Sequence, residues 1–138
     1  MTLTWHPKAG DCLLIDSGPT GKHLFVLILN GKIDNQIQAI LVPVCTVRDS
    51  ARIDETCLLQ EGDHPFIAHD SFIEYRNSRI ERIDHLLKGV KERVFIPHQP
   101  ASKELLSKIK SGLMISKQVK RHIKDILSAV DDAPGGAT

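Results

Sequence analysis

Aromatic side chains are scarce, with one Trp, one Tyr and four Phe in 138 residues. The core must therefore be built from Leu, Ile and Val, which favours compact strands and helices over a large ligand cavity. No apolar run approaches the roughly 20 residues needed to span a bilayer, and Met1 to Pro7 lacks the apolar centre of a signal peptide. The expectation is a cytoplasmic protein with no membrane partner. Cysteine is sparse and odd in number, without a C-x-x-C pair, so no disulfide framework or zinc pattern is written here. Cys12, Cys45 and Cys57 each lie in or beside an apolar run and read as buried free thiols in a reducing compartment. There is no phosphate loop, no nucleophile elbow and no internal repeat.

Against these absences stands one dense stretch. Glu61 to Arg76 holds two histidines, four carboxylates, two of the phenylalanines, the only tyrosine and an arginine. It falls where a strand-like half gives way to a helix-like half. Formal net charge is +1, but residues 1 to 70 carry five Lys/Arg against nine Asp/Glu, whereas the remainder carries thirteen against eight. An acidic half therefore meets a basic half, an arrangement suited to a charged partner.

In chain order, Cys12–Asp16 is a short apolar run bounded by Gly10-Asp11 and by Ser17-Gly-Pro-Thr-Gly21, hence a strand. Lys22 to Leu29 is apolar without alternation and reads as a central strand covered on both faces. Asn30-Gly31 is a strong turn signal. Ile37 to Val47 is a third strand in which Pro43 belongs at an edge or bulge. Thr56 to Leu59 and Ser71 to Tyr75 follow as short strands, with Phe72 and Glu74 on one face and Ile73 and Tyr75 on the other. Short strands at this spacing predict a small antiparallel barrel over residues 1–83.

After Arg76 the period becomes helical through Ile80, Ile83, Leu86, Leu87 and Val90, although Arg79 to Asp84 reads equally as a last strand before a helix. Val94 to Pro97 is a brief extended piece. Ser102 caps a helix carrying Leu105, Leu106, Ile109 and Leu113, and Ser116 caps another carrying Val119, Ile123, Ile126 and Leu127. The fold class is α+β, with residues 84–130 adding a helical hairpin to a single domain of residues 1–130. Residues 131–138 have nothing to bury and are expected to be disordered.

Several positions carry possible chemistry. His64 and His69, beside Asp63 and Asp70, suit proton transfer near neutrality, though neighbours on a strand point to opposite faces. Two histidines without a third fixed ligand do not make a metal site, so no metal or other cofactor is expected. Lys22 and His23 follow the Gly/Pro loop at the rim of the sheet, where a cation can hold phosphate. Thr46 and Arg48 stand at the exit of the third strand, suited to a phosphodiester or a partner carboxylate. Seven Lys/Arg on the last two helices make either a solvated face or a surface for RNA or an acidic partner.

Gly10-Asp11, Asp16-Ser-Gly-Pro19, the strand Leu24 to Leu29 and Val42-Pro-Val-Cys-Thr46, taken together, resemble the order of landmarks in the MazF/PemK family of bacterial toxins. The likeness covers residues 10 to about 75. It implies an SH3-like barrel and a toxin-antitoxin protein: a homodimeric, metal-independent endoribonuclease neutralised by an antitoxin protein. The family's catalytic arginine falls at Lys22-His23 and its catalytic Thr or Ser at Cys45-Thr46, both departures from the pattern.

Combined, these readings assign proton transfer to His23 or His69, positioning of the phosphate to Thr46, and charge stabilisation to Lys22 and Arg76. Arg48 and His64 join the RNA-binding residues, and Phe66 or Tyr75 stacks on bases. The alternative is a non-catalytic barrel module that binds a partner protein or nucleic acid.

Overall fold

Residues 5–17, 19, 21–48 and 52–130 are described by a computed structural model. The apolar run that begins at Leu24 lies at the middle of a sheet. Strand β2 (Lys22–Ile33) has β1 (Cys12–Asp16) on one side and β3 (Gln36–Thr46) on the other, both antiparallel. With neighbours on both edges and apolar layers on both faces, every residue from Leu24 to Leu29 is at most 2% exposed. Each such Leu or Ile contributes about 1.5–3 kcal/mol by leaving water.

Among the described residues, seven antiparallel strands form one sheet, in the order β4 (Leu58–Leu59), β5 (Ser71–Ile73), β3, β2, β1 and β7 (Ile96–His98). Strand β6 (Arg79–Arg82) shares the outer edge of β3 with β5: Gln38 to Leu41 pair with β6, and Val44 to Thr46 pair with β5. Pro43 falls in the gap between those two ladders, where its missing N–H leaves no rung broken. Its carbonyl accepts from the Glu74 N–H at 3.0 Å. The register irregularity is on β2, between Leu27 and Leu29.

Helix α1 (Ile83–Lys91) covers one face of the sheet through Leu86, with Phe95 and Trp5 filling in around Leu13, Ile15, Phe25, Leu27 and Leu41. Helices α2 (Lys103–Ile115) and α3 (Arg121–Ala129) cover the other through Leu105, Ile109, Leu113 and Ile123. The architecture is thus α+β. Ser102 caps α2, its side chain accepting from Leu105 N–H at 3.0 Å.

Four expectations change on contact with the structure. The hairpin between β2 and β3 turns at Asp34-Asn35, both with positive φ (52° and 66°), as a tight hairpin turn requires. Asn30-Gly31 remains in the strand because the Asn30 side chain is drawn inward to donate to the Pro7 carbonyl at 2.8 Å. Secondly, the pairing does not close a barrel: β4 and β7 are the outer strands of an open sheet, and at two and three residues they present few backbone groups to each other. Thirdly, Ser116 ends α2 rather than starting α3, whose N-cap is Lys120. Fourthly, the strand expected from Thr56 begins only at Leu58, since Thr56 is held in a turn by Asp54. The tail at residues 131–138 lies outside the described residues.

Candidate nucleic-acid interface

One end of the sheet collects the termini of four strands. There β1 stops at Asp16, β2 starts at Lys22, β3 stops at Thr46 and β5 starts at Ser71. Lys22 and His23 lie beyond the last rung joining β2 to β3, Leu24 with Val44, and so do Cys45 and Thr46. The antiparallel register therefore brings four of the residues singled out in the sequence to a single rim. Lys22, Thr46 and Arg48 are exposed, and His23 is half-buried with its Nδ1 2.5 Å from the Ser17 hydroxyl. Beyond Thr46 the chain keeps to β5, with Val47 N–H donating to the Asp70 carbonyl at 2.9 Å.

The centre of this end is a group that the sequence did not single out. Cys45 pairs with Phe72 across β3 and β5, and two residues on, Glu74 accepts from the Cys45 thiol at 3.3 Å. The same carboxylate accepts from Arg76 Nε at 3.3 Å and from the Asn77 amide. Burial, then the adjacent Glu74, push the Cys45 thiol up to about 12, while Arg76 and Arg48 both act on it in the opposite sense. Cys45 stays protonated at neutral pH and is no nucleophile, and the Cys45–Glu74 pair, joined to Arg76, is the fixed point of this end.

Beside that point is a cavity of about 300 Å³ whose lining includes Arg52, Phe72, Glu74 and Arg76. Along the same face the Arg79 guanidinium lies 4.6 Å from the centroid of the Phe25 ring, a cation–π arrangement that holds the charge at the surface. Glu74 orients Arg76 while most of the Arg76 side chain stays open to solvent. Guanidiniums oriented by their neighbours at an open cavity suit a phosphate.

The other expected residues are placed differently. Tyr75 is 1% exposed: its ring packs against α2 at Gly112 and its hydroxyl donates to the Ile109 carbonyl at 2.9 Å. It offers no face to a base. His64 is likewise buried, its Nε2 donating to the Gln99 carbonyl at 2.6 Å while its Nδ1 accepts from Phe66 N–H at 3.0 Å. With both ring nitrogens engaged by protein, it holds structure rather than phosphate or metal. Phe66 is partly exposed and meets the His98 ring edge-on at 5.7 Å. His69 is exposed, its carbonyl accepting from the Ser71 hydroxyl. Among the described residues no three His, Cys, Asp or Glu side chains gather as metal ligands.

Arg52, Glu74 and Arg79 were absent from the sequence-based candidates. Alternation along Ser71 to Tyr75 placed Glu74 with Phe72, but only the register of β3 against β5 sets both beside Cys45. No family model matches the chain, and no curated protein matches it. No helix is long and apolar enough to cross a membrane among the described residues.

Proposed function

We propose that this protein engages single-stranded RNA at the arginine-bearing end of its sheet, as a MazF/PemK-like toxin that cleaves RNA without a metal. The observation that carries the reading is the gathering of strand ends that sets Lys22, His23, Thr46 and the exposed Arg48 at one end of the sheet, where Glu74 joins Arg76 to Cys45. In this reading the core is an SH3-like barrel open along one seam, with α2 and α3 as the appended helical hairpin. The His64 to Gln99 hydrogen bond, which ties the loop after β4 to the chain leaving β7, supports that view of the seam. A homodimer and an antitoxin partner belong to the same proposal.

The chemistry needs no protein nucleophile. The ribose 2′-hydroxyl attacks the adjacent phosphorus, the bond to the 5′-oxygen breaks, and a 2′,3′-cyclic phosphate remains. His23, its ring fixed by Ser17, moves the proton, while Lys22, Arg48 and Arg76 balance the charge gathering on the phosphoryl oxygens. Thr46 borders the same rim. Incubation of a long single-stranded RNA with the protein in EDTA yields discrete fragments, and the Lys22→Ala/His23→Ala variant yields none. Equal cleavage by that variant would assign the nuclease to a contaminant and remove the catalytic reading.

A second reading is favoured by one feature of the site. Arg76 is oriented by Glu74 and Arg79 by Phe25, which are positioning devices and do not transfer protons. A module that binds RNA without turnover would retain the RNA in a salt-dependent manner and leave it intact.

A further inference from the structure

We infer that a second cavity beside the arginines is a base pocket that selects guanine; this rests on the RNA reading above. The cavity has a volume of about 560 Å³, and its lining mixes the aliphatic Val47, Ile53 and Leu58 with the charged Asp63, Asp70 and Lys108. Ile53 lines this cavity and the arginine-bearing one alike, so the two adjoin. A phosphate at Arg76 has this second cavity on the other side of Ile53.

The slot is unfilled by the protein's own packing. Leu58 is 47% exposed and Val47 is 37% exposed, although both belong to or abut strands of the sheet. Aliphatic side chains left open around a cavity with a few fixed polar groups are what a small planar ring fits between. Two of those polar groups are held by the protein. Lys108 Nζ donates to the Leu58 carbonyl at 2.6 Å, which holds the ammonium at the rim with two protons still to donate. Asp63 accepts from Gln60 N–H at 2.8 Å, which holds its carboxylate. Both line the same cavity.

An anchored carboxylate only accepts and an anchored ammonium only donates. Guanine offers the complementary edge: two adjacent donors, N1–H and the N2 amino group, for a carboxylate, and the O6 acceptor for the ammonium. Adenine has one amino donor and no carbonyl. Cytosine offers a carboxylate one amino group next to an acceptor, and uracil a single ring N–H between two carbonyls. Guanine alone pairs bidentately with a carboxylate while also meeting Lys108.

The experiment compares fluorescence anisotropy for oligouridylates carrying one central guanosine, inosine or adenosine, 2′-O-methylated throughout so that no 2′-hydroxyl can attack, at two salt concentrations. Inosine lacks only the N2 amino group. The wild-type protein binds the guanosine oligomer about tenfold more tightly than the inosine one. In Asp63→Asn and Asp70→Asn proteins that ratio falls toward one while the salt dependence is kept. Salt-dependent binding with a wild-type ratio near one overturns the pocket and leaves the RNA reading standing. A ratio unchanged in both variants also overturns it, since guanine is then read elsewhere. Failure to bind any oligomer removes the RNA reading, and the pocket with it.

Discussion

His64 and Gln99, thirty-five positions apart, are joined by a 2.6 Å hydrogen bond from the imidazole Nε2 to the backbone carbonyl. The loop that follows the outer strand β4 is thereby tied to the chain that leaves the opposite outer strand, β7. What the backbone ladders leave open, one side chain bridges. The bridge requires neutral imidazole, because the Nδ1 must accept from Phe66 N–H.

That requirement makes the bond sensitive to pH. Burial lowers the His64 pKa below its ordinary 6.5, outweighing the raising effect of the Gln99 bond, and the neighbouring His98 lowers it further. The unfolded chain therefore takes up a proton that the folded chain resists. Stability is full above about pH 6.5 and falls as pH drops below it toward the folded-state pKa. Urea unfolding between pH 8 and pH 5 shows a declining midpoint for the wild type and a flatter profile for His64→Gln. At pH 8, His64→Ala costs about 1–3 kcal/mol, since it removes a buried ring together with both of its hydrogen bonds.

Gly112 and Tyr75 depend on each other. A Cβ at position 112 would run into the Tyr75 hydroxyl and touch the ring carbon that bears it. Gly112→Ala therefore costs about 1–3 kcal/mol by overpacking, even though alanine favours the helix by about 1 kcal/mol. The cost is smaller in a Tyr75→Phe background, where the oxygen is gone. Thermal or urea unfolding of the two single variants and the double variant reads the coupling; strict additivity would show that ring and helix are not in contact.

The turn between α2 and α3 is fastened by Asp54. Its carboxylate accepts from the Ser116 hydroxyl at 2.6 Å and from Thr56 N–H at 2.9 Å, and Ser116 in turn accepts from Gln118 N–H. Burial alone would raise the Asp54 pKa, but the bonds from Ser116 and Thr56 prevail and hold it below the ordinary 3.8. The unfolded chain is the better proton acceptor, so this stabilisation is present above about pH 4 and is lost as pH falls through the lower folded value. At pH 7, Asp54→Asn and Ser116→Ala each lower stability by about 1–2 kcal/mol in chemical unfolding, and less than additively when combined.

Much of the fold was legible because local pattern and tertiary context agree. The unbroken run from Leu24 to Leu29 sits at the sheet centre, and Ser102 caps α2 with its own side chain. After Arg76 the ambiguous segment resolves as strand and then helix, β6 giving way to α1 at Ile83. The errors share a cause. Asn30-Gly31 has the composition of a turn, yet the Pro7 carbonyl claims the Asn30 amide from 23 positions away and the turn moves to Asp34-Asn35. Ser116 resembles an N-cap, yet Asp54 engages it from 62 positions away.

The candidate site divides in the same manner. Lys22, His23, Thr46 and Arg48 lie at strand ends, and strand ends are visible in the sequence. Tyr75 and His64 were expected to meet ligand from their residue type, and a long-range packing partner took each of them inward. Glu74 and Arg79 gain their significance from neighbours on other strands, Cys45 and Phe25, that only the register supplies.

In the proposed binding mode, Arg48 and Arg76 hold the RNA phosphates. The most direct measurement is the salt dependence of binding to a single-stranded RNA, wild type against Arg48→Ala, Arg76→Ala and the double variant, with Lys117→Ala as a control on the basic helices. Binding weakens in each arginine variant. The slope of log affinity against log salt falls by about 0.7 per arginine removed, and Lys117→Ala stays close to wild type. Wild-type slope and affinity in the double variant, with the loss appearing in Lys117→Ala instead, would contradict it and move the RNA to the helices.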